Sequence, residues 1–313
     1  MRTVLPVKPI PLNAGLGATL VPQMKCVAGA LRSHHAQTRT NNFIQSLQPS
    51  QEGYDIILSS GFLAFAAHAG FLQAVEDLNL PVRGVMGTSS GALTGALYAA
   101  GYSPREIAHE LGKVPPIQRI RMSRRPWRGV LSLDPAMKEL RALLPPRFEN
   151  LERDFAVGVV GRGSQSLDDP QPYHELIDSG LLAESIVASA AVPVLFSPVD
   201  IPGGNNGPYM DGGVACRIGL DIWRRHRQHQ RHQPSNDDVR PALVHLIGRS
   251  SPFSGNDSLE TLGKNVAVVC SPKSRASLWN LNGYDLQFEA ARERALEVLT
   301  PLADVKKTTA VAS

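Results

Sequence analysis

Short apolar runs rich in β-branched residues alternate along this chain with stretches whose apolar positions recur every three to four residues. YDIILS (54–59), VRGVM (82–86), FAVGVV (155–160), LVHLIG (243–248) and VAVVC (266–270) have the length and composition of strands covered on both faces. Helical spacing runs through AHAGFLQAVEDLN (67–79), which Pro81 stops, and through GALTGALYAAG (91–101), with Gly101 as its C-cap. In SPREIAHELGK (103–113), Ser103 and Glu106 have the spacing of a capping box. DPAMKELRALL (134–144) starts on Asp134 as N-cap with Pro135 at the first helical position. HELIDSGLLAESIVASAAV (174–192), ended by Pro193, and LQFEAARERALEVL (286–299) read as further helices. Residues 114–130 are irregular and basic, and RRHRQHQRHQPSNDD (224–238) reads as a polar loop or an extended helix end. Strands alternating with helices predict an α/β fold with a central, mainly parallel sheet flanked by helices.

A chain of 313 residues that is 42% hydrophobic can bury the core of one large domain. No apolar run reaches the roughly 18 residues that a membrane span needs. The net charge of +4 is unevenly spread. Arg2, Lys8, Lys25, Arg32 and Arg39 meet no acid before Glu52, and the remainder of the chain is nearly neutral. A basic, acid-free N-terminus with scattered Ser and Thr has the composition of an organelle transit peptide, with a disordered leader as the alternative. The expected organisation is a leader over 1–51, a folded domain over 52–300 and a C-terminal tail over 301–313. The expected location is a chloroplast or other organelle, or the cytoplasm if the leader is only disordered. Of the three cysteines, Cys26 lies in the leader, and Cys216 and Cys270 form no CxxC or zinc pattern, so they read as buried free thiols.

Three stretches carry candidate chemistry. Gly87-Thr88-Ser89-Ser90-Gly91 fits a GxSxG nucleophile elbow between a strand and a helix of small residues. Only small flanking residues, Gly87 and Gly91 foremost, let the chain turn sharply enough to expose the middle serine. The helix dipole that follows favours a developing alkoxide on Ser89. Upstream, ILSSGFLAFAAHAGFLQAVED (57–77) runs from strand through Ser60-Gly61-Phe62 into a helix containing His68-Ala69-Gly70-Phe71-Leu72. Downstream, SIVASAAVPVLFSPVDI (185–201) leads through a proline and an apolar strand to Asp211-Gly212-Gly213. Taken alone, such an Asp-Gly is a turn.

In this order the three stretches resemble the patatin-like phospholipases, over roughly residues 54–299. The SSGFLAF version is similar in particular to patatin-like proteins of photosynthetic organisms. The resemblance implies the patatin-like three-layer fold and a Ser-Asp dyad, with Ser89 as nucleophile and Asp211 as general base. It implies an oxyanion hole built from the backbone N–H groups of Ser60, Gly61 and Phe62. Phe62 stands where the family has a glycine and Ala64 where it usually has a basic residue, so only backbone donors carry over. The implied activity is hydrolysis of acyl esters of membrane glycerolipids, of the phospholipase A or galactolipase type, with no metal and no organic cofactor. An acyltransferase using the same acyl-enzyme and a non-catalytic lipid-binding relative are the alternatives.

Other features compete with this reading. Ser89, Asp211 and His245 follow the chain order of an α/β-hydrolase triad, but His245 falls inside an expected strand. His226, His229 and His232 recur every three residues, yet arginines are interleaved with them and no carboxylate is, which disfavours a metal site. Arg119, Arg121, Arg124, Arg125 and Arg128 surround Trp127, a composition that an inert basic loop explains most simply and that otherwise suits contact with an anionic membrane rather than nucleic acid, which usually needs several aromatic platforms.

Overall fold

The computed structural model describes residues 47, 50, 52–161, 173–230, 240–251 and 254–311. The expected leader lies outside them except for Leu47 and Ser50. Strand β1 (Tyr54–Leu58) is buried along its whole length and leads through a short loop into helix α1 (Phe65–Asp77). Strand β2 (Val82–Thr88) is followed by α2 (Ser90–Ala99), leaving Ser89 alone between strand and helix. Gly101 follows α2 at φ 95°, in the left-handed region a C-capping glycine adopts. Helix α3 (Pro104–Gly112) begins on the expected capping box of Ser103 and Glu106. A two-stranded ribbon, β3 (Arg121–Met122) with β4 (Leu131–Ser132), precedes α4 (Asp134–Leu143). Then come β5 (Asp154–Gly161), β6 (Tyr173–Ile177), α5 (Leu182–Ser189), β7 (Met210–Asp211), α6 (Leu220–Gln230), β8 (Ala242–Ile247), β9 (Val266–Ser271) and α7 (Tyr284–Val311).

The main sheet has the order β6-β5-β2-β1-β8-β9, parallel from β5 to β9, with β6 and β7 both antiparallel to β5. Alternate residues of each strand point to opposite faces, so β1 sends Ile56 and Leu58 into one core and Ile57 into another. The larger core joins the sheet to α1, α2, α5 and α7 through Phe71, Leu97, Ile186 and Leu299. The smaller core covers the opposite face with Ile218, Leu220 and Trp223 at the start of α6. This is the three-layer α/β arrangement expected from the alternating pattern.

Several local expectations are corrected. The stretch 174–192 is not one helix: HELI belongs to β6, Ser179-Gly180 turns the chain, and only Leu182–Ser189 is helical. The apolar composition fitted either period, and pairing with β5 decided for strand. No strand follows Pro193; residues 194–201 make only isolated bridges from Phe196 and Val199 to Leu131 and Tyr209. Asp134 is the first residue of α4 rather than its cap, and its N–H bonds the Ser132 hydroxyl at 3.2 Å. The last helix, expected to end at Leu299, runs on to Val311, with Leu302 buried in the larger core. Cys216 and Cys270, expected to be buried, are only half-buried.

Candidate active site

The register of the sheet brings Ser89 and Asp211 together. Strand β2 occupies one edge of β5 from Asp154 to Gly158, with Thr88 opposite Gly158. Strand β6 takes the other edge, so β7, which pairs Asp211 with Val159, continues the lane that β2 vacates. The residue after Thr88 and the last residue of β7 therefore meet end to end. Sequence motifs more than a hundred residues apart converge because one strand ends where the other begins.

At Ser89 the backbone takes φ 57° and ψ −118°, a region that costs a non-glycine residue about 1–3 kcal/mol. The surroundings impose it. A Cβ on Gly87 would lie 2.3 Å from the Gly91 carbonyl oxygen, and one on Gly91 would lie 2.2 Å from that of Leu58. Both glycines of the elbow are therefore needed for packing. The Ser89 N–H donates to the Ser189 hydroxyl at 2.9 Å, and that hydroxyl donates to the Gly158 carbonyl at 2.7 Å. Ser189, on α5, thus fastens the strained residue to β5.

Asp211 is buried, 4% exposed, and its N–H bonds the Ala191 carbonyl at 3.0 Å. Its Oδ1 accepts the Gly213 N–H at 2.7 Å, the turn that the Asp-Gly-Gly sequence makes possible. Burial pushes its carboxyl up to about 6, against hydrogen bonding from Ser89 and Gly213 and the positive charge of Arg217. A carboxylate with that basicity is ionised at neutral pH and is a better proton acceptor than an exposed one.

The loop between β1 and α1 holds the three expected oxyanion donors, and the structure separates them. The Ser60 N–H is occupied, donating to the Arg217 carbonyl at 2.8 Å, which removes it from the donor set. The N–H groups of Gly61 and Phe62 have no hydrogen-bond partner among the described residues. Phe62 is 38% exposed at the mouth of this loop.

His245 sits in the wrong place for a triad. Gly87, Leu58 and His245 form one row across β2, β1 and β8, which puts His245 two strand spacings, about 10 Å, from the elbow strand. Its Nδ1 meets Nδ1 of His68 at 2.9 Å, its Nε2 meets the Ser271 hydroxyl at 2.9 Å, and its ring stacks on Phe71. Burial holds its pKa well below the ordinary histidine value. His226 and His229 lie on α6 and bond Asp178 and the Arg225 carbonyl, and His232 lies outside the described residues. Among the described residues, no group of His, Cys, Asp and Glu has the arrangement of a metal site.

The basic cluster also divides. Arg119 turns inward: it pairs with Glu139 and donates to the carbonyls of Glu110, Leu111 and Val114, so it leaves the set expected to face a membrane. Arg121 pairs with Asp134, and Arg128 approaches Asp200 at 3.8 Å. Arg124 and Arg125 are exposed beside Trp127, which is 80% exposed at the tip of the β3–β4 ribbon. The ribbon is seated on the strip that follows Ala191: Val130 and Leu131 donate to the carbonyls of Val194 and Leu195 at 3.3 and 2.8 Å. Val194 is itself 84% exposed.

Two contributors were missed by reading motifs alone. Ser189 was visible only as part of an Ala/Ser-rich helix. Arg217 carried one faint signal, being the only charged residue between Asp211 and Asp221.

A family model described as patatin-like phospholipase matches residues 56–222. No curated protein matches the chain. Among solved structures, VipD from Legionella pneumophila is similar at 13% identity and a TM-score of 0.44, over 82% of this chain and 68% of that one. ExoU from Pseudomonas aeruginosa, in its heterodimeric complex with SpcU, is similar at 15% identity and a TM-score of 0.43, over 82% of this chain and 53% of that one. The chain therefore spans about half the length of ExoU.

Proposed function

The chain belongs to the patatin-like phospholipase family, and on that premise we propose that it is a serine lipid acyl hydrolase with Ser89 as nucleophile and Asp211 as its general base. The observation that carries this reading is the end-to-end meeting of β2 and β7, which sets a strained serine beside a buried carboxylate. In the proposed cycle, Oγ of Ser89 attacks the acyl carbonyl carbon while Asp211 takes the hydroxyl proton. The carbonyl oxygen becomes an oxyanion held by the N–H groups of Gly61 and Phe62. Collapse breaks the ester bond, and the departing alcohol, a lyso-lipid, takes the proton back from Asp211. Water then attacks the acyl-enzyme, its proton again passing to Asp211, and the fatty acid leaves as Ser89 is restored. The dyad itself requires no metal or organic cofactor.

The substrates proposed are membrane glycerolipids, galactolipids as well as phospholipids if the acid-free leader directs the chain to a plastid. The exposed ribbon supports docking on an anionic membrane through Trp127, Arg121, Arg124, Arg125 and Arg128, to which Met122, Val130 and Val194 add exposed apolar surface. Among the described residues no helix is long and apolar enough to cross a membrane, so the proposal is for contact at a surface.

Fatty-acid release from mixed lipid vesicles by wild type, Ser89→Ala and Asp211→Ala tests the reading. Release by wild type alone supports it. Equal release by all three points to a binder, and lipid products formed only with an added alcohol acceptor point to a transferase.

A further inference from the structure

Arg217 is among the largest fully buried side chains of the molecule, and it lies between the loop that carries Asp211 and the loop that carries the oxyanion donors. Its Nη2 donates to the Ser60 carbonyl at 2.9 Å and to the Ile247 carbonyl at 2.5 Å, and its Nη1 donates to Oδ2 of Asp257 at 2.5 Å. Its own carbonyl accepts the Ser60 N–H at 2.8 Å. One residue thus grips both sides of Ser60, at the end of β1, while fixed to the end of β8 and to the segment before Leu259.

The grip on the Ser60 oxygen matters because of what shares its peptide plane. The Ser60 carbonyl and the Gly61 N–H belong to one planar, trans unit, so holding the oxygen on one side aims the N–H to the other. A charged donor on the oxygen also polarises the amide and strengthens its N–H as a donor. Residues Ser60 to Ala64 contain no charged side chain, so positive charge behind this loop must come from elsewhere in the fold.

We propose that Arg217 is the positioning residue of the oxyanion hole, locking the Ser60–Gly61 peptide so that the Gly61 N–H points at the developing oxyanion. The inference rests on the hydrolase reading and adds to it the source of the charge behind the loop. Arg217 does not touch substrate; it acts through the peptide it holds. It is also the charged group that favours the ionised form of Asp211, alongside hydrogen bonds from Ser89 and Gly213. The two loops of the site therefore depend on the same guanidinium.

The test is steady-state hydrolysis of a soluble aryl ester across pH by wild type, Ser89→Ala, Arg217→Met and Arg217→Lys, each checked for folding by thermal melting. Arg217→Met is expected to lower kcat about 10- to 100-fold with KM within about twofold, since a ground-state carbonyl uses the donor less than the oxyanion does. Its acid limb is expected to move above that of wild type. Arg217→Lys keeps the charge, so its acid limb stays in place, but one ammonium cannot reproduce a fork to three acceptors, and kcat falls. A folded Arg217→Met with wild-type kcat and an unmoved acid limb overturns the proposal. If that variant does not fold, a wild-type kcat in Arg217→Lys overturns it. Activity surviving in Ser89→Ala would instead overturn the hydrolase reading itself.

Discussion

Two buried polar clusters lie at the same end of the sheet, and only one is proposed to react. His245 has both ring nitrogens and one ring face engaged, by His68, Ser271 and Phe71. Its neighbourhood is complete, and burial keeps it neutral. Ser89 and Asp211 are left incomplete. The serine is held at positive φ, the carboxylate accepts one backbone N–H while staying unusually basic, and two N–H groups of the neighbouring loop have no partner among the described residues. Burial and polarity are common to both clusters. Backbone strain at the serine and backbone N–H groups without a partner among the described residues distinguish the cluster proposed to react.

The largest expected effect separates them by rate. Ser89→Ala and Asp211→Ala should each lower kcat by about 10³-fold or more, the scale of losing a nucleophile or its base. His245→Ala should leave kcat within a few-fold of wild type and instead destabilise the fold by about 2–4 kcal/mol, as a buried ring is lost and its partners are stranded. Chemical denaturation and aryl-ester turnover measured on the same preparations would show the two effects crossing. A large kcat loss without loss of stability in His245→Ala would break the distinction.

The pH dependence should divide the clusters next. In the proposed mechanism Asp211 acts ionised, so kcat/KM should rise with pH through an apparent pKa near the value of about 6 to which burial pushes it. Because that value lies above the unfolded one, the stability Asp211 contributes is present at low pH and is lost as pH rises through about 6. The histidines run the other way. His68 is lowered to about 3 by burial, so below the ordinary value of 6.5 the unfolded chain binds more protons, and stability falls as pH drops from there toward 3. Asp211→Asn, which buries no charge, should therefore be inactive yet more stable than wild type at pH 8, by about 1–3 kcal/mol. A lower melting temperature for this variant would count against the electrostatic strain assigned to Asp211.

The smallest effect concerns the ribbon. Replacing Arg124 and Arg125 with Gln should weaken binding to anionic vesicles by about 1 kcal/mol per charge, in a salt-dependent way, and leave soluble-ester turnover unchanged. Binding insensitive to both salt and these substitutions would remove the ribbon from the docking surface.

Much of this was legible in the sequence because its signals were local. The elbow glycines, the capping box at Ser103 and the apolar strands each announce themselves within a few residues. What stayed hidden depended on pairing across the fold. HELI (174–177) became a strand because β5 had an open edge, and Arg119 turned inward because Glu139 and three carbonyls awaited it. The Ser60 N–H looked like an oxyanion donor until Arg217, 157 positions away, was seen to occupy it. Spacing along a chain reports neighbours on one element; it does not report which distant carbonyl will use up a hydrogen bond.

The coupling of Ser89 to Asp211 is tested most directly by the rate of active-site fluorophosphonate labelling across pH, with the modified residue mapped by mass spectrometry. The expected result is a single label on Ser89, whose rate falls below pH about 6 and is nearly abolished in Asp211→Asn. A label on another residue, or labelling of Ser89 in Asp211→Asn at the wild-type rate, would contradict it.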